Sequence, residues 1–199
     1  MLVLTVDQIA SRRVGDRVDE LLGLVRGDVR PGVVRPFERT VGDEVQAVLD
    51  DADAAVDIAL WLLRIGGWSV GVGAGPVDQP LPASARAGGG EAFVRARAAV
   101  ERAKSRVRPV PVAIVSGGLD EGRGAEAVLT LLGSVVRRRS EAGWAVIDAM
   151  AVPGATQDDV ARRLGISQQA VSQRLRAALW AEEVAARPVA ARLLAEGDA

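Results

Sequence analysis

The sequence predicts an α+β protein, in which a ferredoxin-like sandwich of sheet and helices is followed by an all-α domain. Apolar runs over residues 1–118 give the order β-α-β-β-α-β-α-β, whose first six elements follow the ferredoxin-like order. Beyond the Gly117–Gly118 turn, apolar residues recur only at helical spacing. The chain has 199 residues, 49% of them hydrophobic and 26% charged, which is enough for one large or two small folded domains. We therefore expect domains at residues 1–118 and 119–199.

Composition excludes several classes of site. The chain has no cysteine and no histidine, which excludes a disulfide framework, thiolate or imidazole metal sites, and serine–histidine or cysteine–histidine catalysis. Any metal is expected to be a hard cation such as magnesium on carboxylates. The net charge is only −1, but residues 95–141 contain ten basic and five acidic side chains. The basic charge is therefore concentrated in the middle of the chain.

We expect a soluble cytoplasmic protein. The longest uncharged run, Ile65–Val77, has 13 residues, fewer than the roughly 18 needed for a membrane helix. The first residues, MLVLTVDQ, lack the basic region and cleavage site of a signal peptide.

The first four elements come from residues 1–49. Leu2–Val6 is a short apolar run, typical of a buried strand. Arg13–Arg26 has apolar side chains at helical spacing, and Arg30–Gly32 contains a proline–glycine turn. Val33–Val41 and Val45–Leu49 are two predicted strands. The tight Gly42–Asp43–Glu44 segment between them predicts a hairpin.

The next elements complete the first domain. Asp51 is a predicted N-cap for a helix that extends to about Ile65. In Ser69–Gly75, valine or alanine alternates with glycine, which predicts a strand with another element packed closely on its glycine face. After a loop over residues 79–90, Glu91–Ser105 is a predicted helix and Val110–Val115 a predicted buried strand.

A helix-turn-helix is predicted at about residues 157–180. Asp158–Leu164 predicts a short helix, Gly165–Ser167 a turn, and Gln168–Trp180 a second helix. Gly165 can adopt the left-handed conformation that ends a helix, and Ser167 can cap the next one. The small Ala161 suits a close helix crossing. The shared core is expected from five apolar residues: Val160, Leu164, Ile166, Val171 and Leu175.

Two further helices are predicted before this motif, Gly124–Ser140 and Glu141–Ala151. The second is expected to support the motif through apolar side chains on one side, namely Trp144, Ile147 and Met150.

The exposed face of the second motif helix predicts DNA binding. It is polar, it has no acidic residue, and glutamine, arginine and serine are the side chains that contact base edges and phosphates. The candidate DNA-binding residues are Ser167, Gln168, Gln169, Ser172, Gln173, Arg174 and Arg176. The alternative is a helical hairpin whose polar face is merely solvated.

Three carboxylates are candidate metal ligands. Asp7 ends the first strand, and Asp43 and Glu44 lie at the hairpin tip. If the first and second strands are the central pair of the sheet, these groups meet at one edge and suit magnesium with a phosphate. The alternative is that they are solvated turn residues.

Two arginines of the first domain are candidate phosphate ligands. Arg12 and Arg97 could bind the phosphates of a ligand through their guanidinium groups. The alternative for Arg97, and the favoured one for Arg95, is a solvated helix face paired with Glu91 and Glu101.

Several segments resemble the SatD family, a group of bacterial cytoplasmic proteins. They are VDQIASR (6–12), TVGDEVQAVL (40–49), VGVGAG (70–75), GGEAFVRARAAVERAK (89–104) and the tail GISQQAVSQRLRAALW (165–180). More distantly, the first domain is similar to the palm domain of class III nucleotide cyclases and GGDEF proteins. That resemblance implies a palm-like domain with two metal-binding acidic positions, matched here by Asp7 and by Asp43 or Glu44.

The chain departs from the cyclase pattern. It lacks the recognisable purine-selecting lysine–aspartate pair, and only one glycine precedes Asp43. The resemblance therefore implies ligand binding without turnover rather than an enzyme.

The expected function is a DNA-binding transcriptional regulator of the SatD type, whose palm-like domain senses a ligand, for example a nucleotide with magnesium, or mediates dimerisation. The alternatives are a nucleotide cyclase or phosphohydrolase with an accessory DNA-binding tail, and a structural module without a site. A symmetric homodimer is expected because single helix-turn-helix motifs usually work in pairs. The two copies are expected to contact each other through five apolar residues, unless these residues pack against the sheet instead: Val128, Leu131, Leu132, Val135 and Val136.

Overall fold

A computed structural model describes residues 1–26 and 31–198, without the side chain of Arg26, so the predicted Arg30–Gly32 turn lies partly outside the described residues. The strands are β1 (Leu2–Gln8), β2 (Val33–Arg39), β3 (Glu44–Leu49), β4 (Trp68–Ala74) and β5 (Val112–Val115). The α-helices in the described ranges are α1 (Ser11–Val14), α2 (Val18–Arg26), α3 (Ala52–Ile65), α4 (Glu91–Ala103), α5 (Leu119–Arg138), α6 (Glu141–Met150), α7 (Gln157–Leu164), α8 (Gln168–Ala177) and α9 (Trp180–Glu196). The chain thus has an N-terminal five-stranded sheet and a helical C-terminal region, as predicted.

The strands form one sheet in the order β2-β3-β1-β4-β5. β1 is antiparallel to both of its neighbours, β3 and β4, whereas β4 and β5 are parallel and are connected through α4. The condition that the first and second strands are the central pair is not met, because β2 is an edge strand and β3 lies beside β1. The hairpin nevertheless reaches β1, since β3 follows directly from its tip.

The two faces of the sheet bury different sets of side chains. On the face that we call the α3 face, apolar residues of all five strands pack with α2, α3, α5 and α9 in the main hydrophobic core. On the opposite face, the α4 face, the sheet contacts α4 through smaller clusters that include Val3, Val48 and Ala113. Strand residues alternate between these faces because successive side chains of a strand point to opposite sides.

The glycine face of β4 is in close contact with α4, as the sequence predicted. A Cβ atom built on Gly71 would overlap the backbone nitrogen of Val100, and one built on Gly73 would overlap the carbonyl oxygen of Ala92. Only glycine permits such an approach of helix and strand backbones.

Two helix boundaries differ from the predictions. The predicted helix Arg13–Arg26 is divided into α1 and α2, because Gly15 adopts a φ of 82° that a helix cannot accommodate. The predicted helix at Gly124 begins five residues earlier, at Leu119. Glycine disfavours helix interiors, yet Gly122 lies inside this helix. A Cβ atom at this position would overlap the Ser116 hydroxyl, which explains why the residue is glycine.

The main core includes helices from beyond residue 118. Leu129 and Leu132 of α5 and Leu194 of α9 are buried in the same cluster as the strands. The motif helices have a separate cluster of their own. The domain boundary at residue 118 stays a prediction, and the described core extends across it.

Helix α6 contacts both clusters. Val146 and Ala149 are buried with the motif helices, and Met150 is partly buried there, as expected of a supporting helix. Trp144 instead packs against the main core, so the expectation that it supports the motif is wrong. No helix in the described ranges is both long enough and apolar enough to cross a membrane.

Candidate nucleic-acid interface

Helix α7 has a complete set of terminal hydrogen bonds. The Thr156 hydroxyl accepts the backbone N–H of Asp159 at 3.2 Å, and the Asp159 carboxylate accepts the backbone N–H of Thr156 at 2.9 Å, which is a capping box. Hydrogen bonds from the Thr156 hydroxyl and backbone lower the pKa of Asp159. At the other end, Gly165 is left-handed, with φ 65° and ψ 34°, as predicted.

Helix α8 begins three residues after Gly165. The Ser167 hydroxyl accepts the backbone N–H of Ala170 at 3.1 Å, which confirms Ser167 as the N-cap. Val160, Ala161 and Val171 are buried between α6, α7 and α8, and the other three predicted core residues, Leu164, Ile166 and Leu175, are partly buried in the same cluster. The predicted core of the motif is therefore present.

The polar residues of α8 lie on the outside. Ser167, Gln168, Gln169, Gln173 and Arg176 are exposed, and Ser172 and Arg174 are half-buried. The Gln168 side-chain amide donates to Oε1 of Gln157 at 2.9 Å, so the first residues of α7 and α8 are joined. Sequence reasoning missed Gln157, although its position at the start of α7 was a possible sign.

The end of α8 differs from the prediction. The helix ends at Ala177 instead of Trp180, and Leu179 adopts a left-handed φ of 52° before α9 begins. The guanidinium of Arg139 donates to the carbonyl oxygen of Ala178 from Nε at 3.1 Å and from Nη2 at 2.6 Å. A cation at this position satisfies a terminal carbonyl and opposes the negative end of the helix dipole.

Comparison with known proteins identifies the same region. Residues 140–180 match the family model described as "Sigma-70, region 4". The match covers α6, α7, α8 and the first residue of α9. No curated protein and no solved structure matches the chain. The C-terminal region therefore contains a helix-turn-helix of a DNA-binding, transcription-related type.

The three predicted metal ligands lie at one edge of the sheet. Asp7 of β1 is directly opposite Glu44 of β3 in the antiparallel register, and the backbone N–H of Gln8 donates to the carbonyl oxygen of Asp43 at 3.2 Å. Within the described ranges, no group of three or more acidic side chains is arranged to hold a metal ion. The metal set stays a prediction.

Asp7 and Glu44 have protein partners. The Lys104 ammonium is 2.9 Å from Oδ2 of Asp7, and the Thr40 hydroxyl donates to Oε1 of Glu44 at 2.6 Å. Burial raises the pKa of Asp7, as do the nearby charges of Asp43 and Glu44, and Lys104 opposes this only in part. Burial alone would lower the pKa of Lys104, but hydrogen bonds and charges from Glu101 and Asp7 raise it. Sequence reasoning missed Lys104, the only lysine in the chain.

The candidate phosphate ligands are exposed. Arg12 lies in α1 and Arg97 in α4, and neither forms an ion pair with any described residue. Arg95 pairs with Glu91, as favoured, and also donates to the carbonyl oxygen of Ala74 at 2.6 Å. Glu101 pairs with Lys104 and not with Arg97.

Proposed function

We propose that the protein is a DNA-binding transcription regulator whose α8 helix enters the major groove. The observation that supports this most is the exposed face of α8, which combines glutamine, serine and arginine side chains and contains no acidic residue. Gln168, Gln169 and Ser172, on the first turns of the helix, are assigned to base edges. Gln173, Arg174 and Arg176 are assigned to phosphates, and the exposed Ser167 caps the helix beside them.

Gln157 has a supporting role in this proposal. Its contact with Gln168 holds one carboxamide before DNA arrives, and a side chain that is already ordered loses less entropy on binding. Gln168 is therefore the pre-organised base reader, and Gln157 is its positioning residue.

The test of DNA binding has two steps. The chromosomal sites of the protein are first mapped in its own cells. The affinity for a recovered site is then compared with that for a scrambled duplex at several salt concentrations. Specific binding that is at least tenfold tighter supports the proposal. Equal, weak binding to both duplexes would favour a solvated helical hairpin.

We also propose that the sheet is a palm-like domain of the SatD type that senses a ligand in the cytoplasm. The strand order β2-β3-β1-β4, with α2 and α3 both packed on the α3 face, supports the ferredoxin-like arrangement. The position of Asp7 directly opposite Glu44, beside the hairpin tip, supports a ligand that consists of magnesium and a nucleotide. Asp7, Asp43 and Glu44 would hold the magnesium in competition with the Lys104 ammonium beside Asp7, and Arg12 or Arg97 would bind phosphate.

Dimerisation is the last part of the proposal. A cavity of about 440 Å³ lies between α5 and the α8–α9 junction and is lined by Leu131, Val135 and Leu179. Leu131 and Leu179 are 70% and 43% exposed, so the surface of this groove is apolar. Arg138 and Glu182 line it too, and a two-fold axis could pair these opposite charges between copies. Leu132 and Val136 are buried in the main core and Val128 is partly buried there, although Leu132 also lines the groove. The proposed contact therefore centres on Leu131 and Val135.

The enzyme alternative rests on the same carboxylates. Incubation with nucleoside triphosphates and magnesium separates the possibilities, because new products indicate an enzyme and thermal stabilisation without product indicates a sensor. If neither products nor stabilisation are observed, the sheet is a structural module without a site. Asp43→Asn should abolish the stabilisation. Asp50→Asn, an exposed carboxylate away from this edge, is the matched control.

A further inference from the structure

Three of the four tryptophans surround one cleft. The cleft has a volume of about 600 Å³ and lies between α3 on the sheet side and α6 and α9 on the other side. Trp61, Trp144 and Trp180 line it and are half-buried, whereas Trp68 is buried in the main core. The chain has only four tryptophans, two phenylalanines and no tyrosine, so most of its aromatic surface outside the core lies here.

The described residues that line the cleft carry an excess of negative charge. They include four aspartates and two arginines, which together have a formal charge of −2. Arg64 pairs with Asp148 at 2.6 Å, and Arg187 pairs with Asp57 at 2.7 Å. Asp51 accepts the backbone N–H groups of the first turn of α3. The Asp53 carboxylate, on that same turn, has no hydrogen bond or ion pair with any other described residue.

The cleft already holds cations against indole rings. The guanidinium carbon of Arg64 is 3.8 Å from the ring centroid of Trp144, and that of Arg187 is 6.0 Å from the ring centroid of Trp180. Cations are attracted to the faces of aromatic rings, and tryptophan is the strongest such partner. The combination of indole walls and surplus carboxylate is thus suited to a cation with an apolar body.

We infer that this cleft binds a small organic cation. Its ammonium group lies near Asp53, and its apolar body contacts Trp61 and Trp180. The site is separate from the carboxylates at the end of β1 and from the DNA-contacting face of α8. Since both α3 and α6 line the cleft, an occupant contacts a helix of the main core and the helix that supports the motif. The inference does not depend on DNA binding.

The test uses the full chain without DNA and follows the indole N–H resonances of the four tryptophans by NMR. The probe is choline, and the matched control is 3,3-dimethylbutan-1-ol, a neutral molecule of the same shape, at the same ionic strength. Choline should shift the resonances of the cleft indoles saturably, with a dissociation constant in the millimolar range, and leave that of Trp68 in place. The neutral molecule should cause less shift at equal concentration.

Two variants locate the charge. Asp53→Asn should weaken choline binding by about two- to fivefold, as expected for the loss of one solvent-exposed ion pair. Asp50→Asn changes the charge three residues away, outside the cleft, and should leave choline binding unchanged. No saturable shift, equal shifts with the neutral molecule, or an unchanged affinity in Asp53→Asn would each overturn the inference.

Discussion

The guanidinium of Arg139 and the carboxylate of Glu183 are 2.5 Å apart, with only 1% and 0% of their side chains exposed. Arg139 follows α5, Glu183 lies in α9, and the same guanidinium donates to the last turn of α8 through Ala178. Its Nη1 atom is buried and has no hydrogen-bond acceptor among the residues that the structure describes, and the guanidinium carbon is 4.4 Å from the ring centroid of Trp144. One arginine thus joins the end of α8 to two helices of the main core.

We expect Glu183→Gln to lower the free energy of unfolding by about 3–5 kcal/mol, because it leaves the Arg139 charge buried without its counter-ion. Urea denaturation measures the change. Glu182, the sequence neighbour of Glu183, is exposed, so the free energy of unfolding of Glu182→Gln should stay within about 0.5 kcal/mol of the wild-type value. Equal losses in the two variants would show that the buried pair has no special role.

Gln169→Ala should cost about 1–3 kcal/mol in binding to the cognate site and little on random DNA, because the assigned contact is with a base edge. Gln173→Ala is the comparison, since a phosphate contact contributes equally on every sequence. Fluorescence anisotropy with both duplexes gives the two affinities. If Gln169→Ala weakens both duplexes equally, this residue does not read the sequence.

Replacement of Gly165 should destabilise the motif through backbone strain alone. A Cβ atom at this position meets nothing within 4 Å, yet φ is +65°. We expect Gly165→Ala to cost about 1–2 kcal/mol, Gly165→Asn less and Gly165→Val more, because asparagine tolerates the left-handed region and β-branched residues do not. Thermal denaturation should give this order. A different order would indicate that side-chain contacts dominate.

The stability of the wild type should depend on the ionisation of Asp7. Its pKa is raised from 3.8 in the folded state, mainly by burial, so the folded protein binds this proton more tightly than the unfolded chain. The resulting stabilisation is present at low pH and is lost as the pH rises from about 3.8 through the folded-state pKa. Relative to the wild type, Asp7→Asn should therefore gain stability as the pH rises through this range.

Urea denaturation at a series of pH values tests this sign. The exposed variant Asp50→Asn should show no comparable trend. A stability advantage of Asp7→Asn that shrinks as the pH rises would mean that the ion pair with Lys104 outweighs the cost of burial.

Leu131→Asp should convert the proposed dimer to a monomer, as measured by light scattering at micromolar concentration, without loss of fold. Leu119 lies on the same helix and is exposed to the same extent, 71% against 70%, but does not line the groove. Leu119→Asp should therefore leave the dimer intact. A wild type that is monomeric both alone and with its DNA site would contradict the proposed dimer.

Features that depend on neighbours in sequence were predictable. The turn at Gly165 and the cap at Ser167 were both found, because each is determined by local backbone conformation. The alternation of glycine in β4 likewise predicted a close neighbour, which is α4.

Features that depend on distant partners were not predictable. The carbonyl oxygen that follows the last residue of α8 is bound by Arg139, which lies 39 residues before its acceptor, Ala178. Lys104 meets Asp7 only after the β4–α4–β5 connection is folded against β1. Arginine and glutamate are residue types that normally lie on a solvated helix surface, and nothing in the local sequence around Arg139 or Glu183 indicates that they are buried.

The two-sided packing of α6 limits how small an autonomous DNA-binding fragment can be. A peptide of residues 140–180 would contain α6, α7 and α8, yet it would lack both members of the Arg139–Glu183 pair. It would also expose the side of Trp144 that lies against Arg64 and the main core. Excision would therefore remove the residues of α5 and α9 against which α6 and α8 are buried. A shorter fragment is expected to fold only if it keeps α5, α9 and the sheet on which they pack.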